Sequence, residues 1–147
     1  MTTRFKRILC PIDFDANSMA ALDFAADLAQ QNQATLYIMH TVRAPSAPSE
    51  VPVEPAVPQW ERDAMARLDS VARQHIDGKA KFNLIVKTGD PFAAIMETER
   101  ELNPDLLVMA THGRTGVSHL FLGSVAERVV RESSRPVLTL RPSADIP

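Results

Sequence analysis

Glycine is scarce in this chain: only five in 147 residues. Cysteine is scarcer still, with the single Cys10. One thiol excludes an internal disulfide, and Cys10 lies in the apolar run Ile8-Leu-Cys-Pro-Ile12, the setting of a buried, inert side chain. No apolar run approaches the roughly 20 residues that cross a bilayer, so a membrane span is not expected. The opening Met1-Thr-Thr-Arg-Phe-Lys-Arg7 lacks the apolar core of a signal peptide, which makes cytoplasmic residence the expectation. Charge of one sign is also lacking. Sixteen basic and eighteen acidic residues leave a net charge of −2, which gives no basic footprint for nucleic acid. The four histidines, His40, His75, His112 and His119, show no metal-ligand spacing, and no cysteine pair joins them. Walker A, Gly-x-Gly-x-x-Gly and Gly-x-Ser-x-Gly sequences are all missing, which disfavours a P-loop lysine, a nicotinamide Rossmann site and a nucleophile elbow.

The few glycines that are present cluster. Three of the five, Gly113, Gly116 and Gly123, fall within the stretch Ala110 to Ser124. An apolar run precedes that stretch and a helix-like run follows it. A glycine loop between a strand and a helix lets backbone N–H groups approach an anion, and the helix dipole favours negative charge there.

Five strand-like runs alternate with four helix-like ones. The strands are Arg7 to Asp13, Thr35 to Thr41, Lys81 to Thr88, Asp105 to Ala110 and Val137 to Leu140. The first is almost continuously apolar, as suits a central parallel strand. The third alternates Phe82, Leu84 and Val86 with polar residues, as suits a sheet edge. The spacing predicts a first helix over Ser18 to Gln31 with Asn17 as N-cap and an inner face of Leu22, Ala25, Ala26 and Ala29. A second covers Gln59 to Asp77, with Trp60, Ala64, Leu68, Val71 and Ala72 facing inward. Asp90-Pro91 opens a third with a cap and an N1 proline, Phe92, Ile95 and Met96 give its apolar face, and Asn103-Pro104 stops it. A fourth starts near Ser124 with Val125, Ala126, Val129 and Val130 on one face.

The segment Ala44 to Pro58 holds five of the eleven prolines and reads as an extended connection: a surface loop, a lid or a partner-docking segment. Residues 141–147 read as a polar tail. No repeat and no second domain is visible, so residues 1–147 form a single domain. The element order implies an α/β fold, a doubly wound five-stranded parallel sheet with helices on both faces. Ligands of such sheets bind beyond the C-terminal strand ends, where the strand order reverses.

That rule singles out Asp13 at the end of the first strand and Ala110 to Gly113 at the end of the fourth. Asp13 suits accepting hydrogen bonds from a ribose or a base, and equally suits an Asx turn or a helix cap. The backbone N–H groups of Ser124 and Val125 would face an anion, with the Ser124 hydroxyl as a further donor. Gly123-Ser124 also fits a plain turn and N-cap. Arg114, beside Gly113, is placed to pair with phosphate or to sit solvated in a loop.

Taken together these residues resemble the universal stress protein family, in its UspA-like, nucleotide-binding form. That family carries Gly-x2-Gly-x9-Gly-Ser/Thr after its fourth strand. Here Gly113, a nine-residue spacer and Gly123-Ser124 match the second and third parts. Ile8-Leu-Cys-Pro-Ile-Asp13, Gly89-Asp-Pro91, Gly123-Ser-Val-Ala-Glu-Arg-Val-Val130 and Arg135-Pro-Val-Leu-Thr-Leu140 are similar to the family as well. The likeness covers nearly the whole chain apart from the proline-rich segment.

The resemblance implies a Rossmann-like fold of the adenine nucleotide alpha hydrolase type. It also implies a stress-response or signalling role and a homodimer. It implies ATP, ADP or AMP across the ends of strands one and four, with magnesium or manganese held through the phosphates rather than by protein side chains. By position Asp13 would contact the ribose or adenine edge, and Thr41 would lie against the adenine. Ala110 and Gly113 would line the ribose and phosphates, and Gly123, Ser124 and Val125 would hold the phosphates. Pro11, Met109, His112 and Arg114 complete the implied set.

One position departs from the family pattern: its first motif glycine is Ala110 here. If strand geometry continues through Ala110 the methyl costs nothing conformationally, and if the position needs a positive φ it weakens binding. With no evident catalytic base or activating lysine, the expectation is a module that holds ATP without efficient turnover. The alternative is a dimeric interaction protein with a vestigial pocket, pairing through Val137 to Leu140. A slow nucleotide hydrolase is a third reading. A receiver-like phosphoacceptor is disfavoured, because strand three ends in Lys87-Thr88-Gly89 with no aspartate.

Overall fold

The computed structural model of the chain describes residues 4–44, 57–111 and 123–141. Most of the proline-rich segment, residues 45–56, lies outside the described residues, as do 112–122 and 142–147. The elements run β1 (Arg7–Pro11), α1 (Ala16–Asn32), β2 (Thr35–Val42), α2 (Gln59–Ile76), β3 (Lys81–Thr88), α3 (Pro91–Leu102), β4 (Leu106–Ala110), α4 (Ser124–Glu132) and β5 (Val137–Leu140). The five strands form one sheet in the order β3-β2-β1-β4-β5, with every pairing parallel. The strand order reverses between β1 and β4, which puts the switch point where the sequence pattern places it. β3 occupies one edge, in keeping with its alternating pattern.

Burial explains the order. Ile8, Leu9 and Cys10 of β1 are fully buried, so the central strand is covered on both faces. β4 divides its side chains by alternation. Leu106 and Val108 join the cluster under α1 and α2, while Leu107 and Met109 join the one under α3 and α4. α1 packs through Ala21, Leu22, Ala25, Ala26 and Ala29, all fully buried. Four alanines on that stripe bring the helix close to the sheet. α3 begins where Asp90 accepts a hydrogen bond from Ala93 N–H at 2.9 Å, carries Pro91 in its first turn, and ends at Asn103 with a φ of 53°. No helix among the described residues is long and apolar enough to cross a membrane.

The sequence reading misplaces two features, both near the start of α1. β1 ends at Pro11 rather than Asp13, although Ile12 N–H still donates to Met39 C=O at 2.8 Å. The N-cap of α1 is Asp15, not Asn17. Asp15 Oδ1 accepts the Ser18 N–H at 2.7 Å, so the helix starts at Ala16, two residues earlier than the spacing predicts.

Candidate functional site

A cleft of about 250 Å³ opens at the C-terminal ends of the strands, over the switch point. Eight of the eleven expected site residues line it: Pro11, Asp13, Thr41, Met109, Ala110, Gly123, Ser124 and Val125. The remaining three, His112, Gly113 and Arg114, lie outside the described residues, as do Gly116 and His119.

One wall is the turn from β1 into α1. Asp13 Oδ1 accepts hydrogen bonds from Asp15 N–H at 3.1 Å and from the Ser18 hydroxyl at 2.9 Å. Asp13 N–H in turn donates to Ser18 Oγ at 3.1 Å. Its other carboxylate oxygen receives no hydrogen bond from a described residue. Beyond Asp13, Phe14 takes a left-handed φ of 67°, a conformation that costs a side-chain-bearing residue about 1–2 kcal/mol. Two contacts hold it there. The Arg67 guanidinium of α2 sits 4.1 Å over the Phe14 ring, and the His40 ring of β2 lies 4.5 Å away on a tilted plane.

His40 also braces β1. Its Nδ1 lies 2.8 Å from Ile12 C=O. A carbonyl only accepts, so Nδ1 carries the proton.

The opposite wall is the start of α4. Gly123 is its N-cap with a φ of −61°, and Ser124 is the first helical residue. Ser124 is therefore not the cap itself, and the N-cap Gly123 offers no side chain to the first turn. The N–H groups of the first turn have no intrahelical acceptor, and Ser124, Val125 and Ala126 all line the cleft. The positive end of the helix dipole points the same way. Glu127 N–H closes the turn onto Gly123 C=O at 2.9 Å.

Ala110 closes β4. It pairs with Leu140 of β5, and its methyl packs against the cluster under α1 and α2. Its φ is not among the positive values, so strand geometry continues through it. The methyl that replaces the family glycine is conformationally free of cost.

Electrostatically the cleft is uneven. Asp13 is the one carboxylate lining it among the described residues, and no lining residue there is Lys or Arg. Asp15 stands behind Asp13 with its Oδ2 buried and unpartnered. Burial raises the Asp15 carboxyl above its ordinary range; the Ser18 N–H opposes that shift, and the neighbouring Asp13 adds to it. Cys10, beneath the cleft, is pushed up to about 12 by burial, which leaves it an inert thiol. No group of three or more His, Cys, Asp or Glu among the described residues is placed to hold a metal ion.

The sequence reading missed Ile12, Ser18, Met39, His40, Pro91, Ile95, Thr111 and Ala126, which also line the cleft. Topology signals the α3 pair: a helix that follows β3 and starts with Pro91 has its first turn at the strand ends. Ser18 lies in the first turn of α1 beside the strand end, a position the spacing had treated only as a helix start.

The family model for the universal stress protein family matches residues 4–141. A universal stress protein of Thermus aquaticus is 32% identical over 93% of this chain and 99% of its own length. Among solved structures, a universal stress protein in complex with cAMP superposes with a TM-score of 0.69 at 23% identity, covering 96% of this chain and 100% of the other. An Arabidopsis thaliana family member with AMP bound gives a TM-score of 0.64 at 19% identity, over 96% of this chain and 94% of its own. Sheet order, matched length and sequence identity agree, and the chain belongs to the universal stress protein family.

Proposed function

We propose that this chain is an adenine-nucleotide-binding module whose nucleotide lies across the ends of β1 and β4. One observation carries the reading: the Asp13 carboxylate, one of whose oxygens receives no hydrogen bond from a described residue, lines the same cleft as the first turn of α4, whose amides have no intrahelical acceptor. The two walls suit the two ends of a nucleotide. Ribose hydroxyls and the adenine amine are donors that need an acceptor, while phosphate is an acceptor that needs donors. Thr41, Met109 and Pro11 offer the apolar and small surface between them for a base. The cAMP and AMP complexes of structural relatives support the same ligand class.

ATP is the nucleotide we assign, with a divalent ion riding on its phosphate oxygens. The cleft holds the nucleotide rather than turning it over efficiently, because no lysine among the described residues lines it beside the amides to activate a phosphoryl group. Among the described residues β5 pairs with β4 alone and lies at the edge of the sheet, and we assign its outer edge to a homodimer contact.

Calorimetric titration with ATP, ADP, AMP and cAMP, each with magnesium, tests the ligand. Saturable heat with at least one adenine nucleotide is expected. No heat and no thermal shift at millimolar concentration would overturn the reading and leave the vestigial-pocket alternative. Native mass spectrometry separates the remaining cases: a dimer that gains nucleotide mass supports the proposal, and a strict monomer refutes the β5 assignment.

A further inference from the structure

We infer that Ser18 is a positioning residue that presets Asp13 for the ligand, an inference that rests on the nucleotide reading of the cleft. Ser18 is 4% exposed and lies in the first turn of α1. Its hydroxyl bridges two parts of one residue. It accepts the Asp13 N–H at 3.1 Å and donates to Asp13 Oδ1 at 2.9 Å.

The hydroxyl has one proton and two acceptors in reach, since Asp15 C=O lies at 3.2 Å. The carboxylate is both closer and charged, and charge-assisted bonds are the stronger. The proton therefore goes to Asp13. With Asp15 N–H also on Oδ1, that oxygen has two donors and the carboxylate has one orientation. Oδ2 is the oxygen left for a ligand donor.

The bridge is local to one turn: Asp13, Asp15 and Ser18 are joined by the Asp15 N–H and the Ser18 hydroxyl on Asp13 Oδ1, and by the Ser18 N–H on Asp15 Oδ1. The helix itself does not depend on the hydroxyl. Ser18 contributes its backbone N–H to the Asp15 cap, and alanine keeps that bond. Removing the hydroxyl therefore strips the positioning function and leaves the cap in place.

The test is a double-mutant cycle on Ser18→Ala and Asp13→Ala, titrated with AMP and with ATP plus magnesium. Thermal unfolding of each variant and a crystal structure of nucleotide-free Ser18→Ala accompany it. Ser18→Ala is expected to weaken AMP about tenfold in the wild-type background and to have no further effect once Asp13 is alanine. In the crystal, Asp13 is expected to leave its single orientation. Ser18→Thr restores the hydroxyl and is expected to return affinity to within about threefold of wild type.

Equal affinity of Ser18→Ala and wild type, the same loss in both Asp13 backgrounds, or an unmoved Asp13 in the Ser18→Ala crystal would overturn the inference. Those results leave the cleft reading standing, because wild type still binds. A wild-type protein that binds no adenine nucleotide overturns the cleft reading first and this inference with it.

Discussion

Replacing Ala110 by glycine restores the family's motif residue, and the structure indicates that this restoration is a loss. Ala110 is the last residue of β4, bonded in register to Leu140, and its methyl lies half-buried against the α1-side cluster. Glycine in a strand costs about 0.5–1 kcal/mol of extra backbone entropy. Removing a half-buried methyl adds about 0.4 kcal/mol, taking ~0.8 kcal/mol for a fully buried one. The sum is about 1–1.4 kcal/mol. For a domain of this size each kcal/mol moves the thermal midpoint by about 2–4 °C, so Ala110→Gly should melt about 2–6 °C below wild type. ATP affinity should stay within about twofold, because the methyl faces the core and the backbone needs no positive φ. Paired thermal unfolding and calorimetric titration measure both numbers. A tenfold gain in ATP affinity, worth about 1.4 kcal/mol, with no fall in midpoint would show that the methyl obstructs the ligand and would refute the reasoning.

Gly123→Asp separates binding from folding. The N-cap backbone at a φ of −61° accommodates any residue and aspartate is a good cap, so the midpoint should hold while a carboxylate takes the amides we assign to phosphate and ATP affinity falls at least about 100-fold. Retained affinity would place the phosphates elsewhere. Asp15→Asn should raise the midpoint at pH 7. The folded carboxyl is raised, so ionising it costs stability; the cost is absent below the ordinary aspartate value of ~3.9, grows as pH rises through the folded value, and is complete above it. Asparagine caps equally well, so the gain should vanish as the pH falls below about 4, and a gain independent of pH would contradict the assignment. Glu99 is buried, has no ion pair among the described residues, and accepts from the Ser133 hydroxyl and from both the N–H and the hydroxyl of Ser134. Glu99→Ala should cost about 2–3 kcal/mol in chemical denaturation by stranding those donors in the turn that leads into β5, and a cost under about 0.5 kcal/mol would show the turn holds without it.

What was legible in the sequence was whatever repeats at short range. The stripe Leu22, Ala25, Ala26 and Ala29 lies on the buried face of α1, and Asp90-Pro91 opens α3, because periodicity and caps are local facts. The α2 stripe was only partly legible. Leu68 and Ala72 are buried as the spacing predicts, but Trp60 and Ala64 are only half covered, and Ile76 supplies the end of the face instead. The turn from β1 into α1 was misread for a definite reason. Asp13, Asp15, Asn17 and Ser18 are all competent caps or turn residues, and their local energies do not distinguish them.

Partners far along the chain make the choice. His40 holds Ile12 from 28 residues away, and Arg67 and His40 clamp Phe14 in its left-handed conformation. A cation over an aromatic ring is worth about 0.5–1 kcal/mol at an exposed site, and the tilted ring contact adds a comparable amount, which together match the ~1–2 kcal/mol cost at Phe14. The strain at Phe14 is therefore balanced by the two contacts it makes. What the chain gains is a sharp exit from β1 that leaves Asp13 at the mouth of the cleft and lets Ser18 reach back to it. The identity of a site residue can be read from one motif, but its aim depends on the residues that bend the strand away behind it.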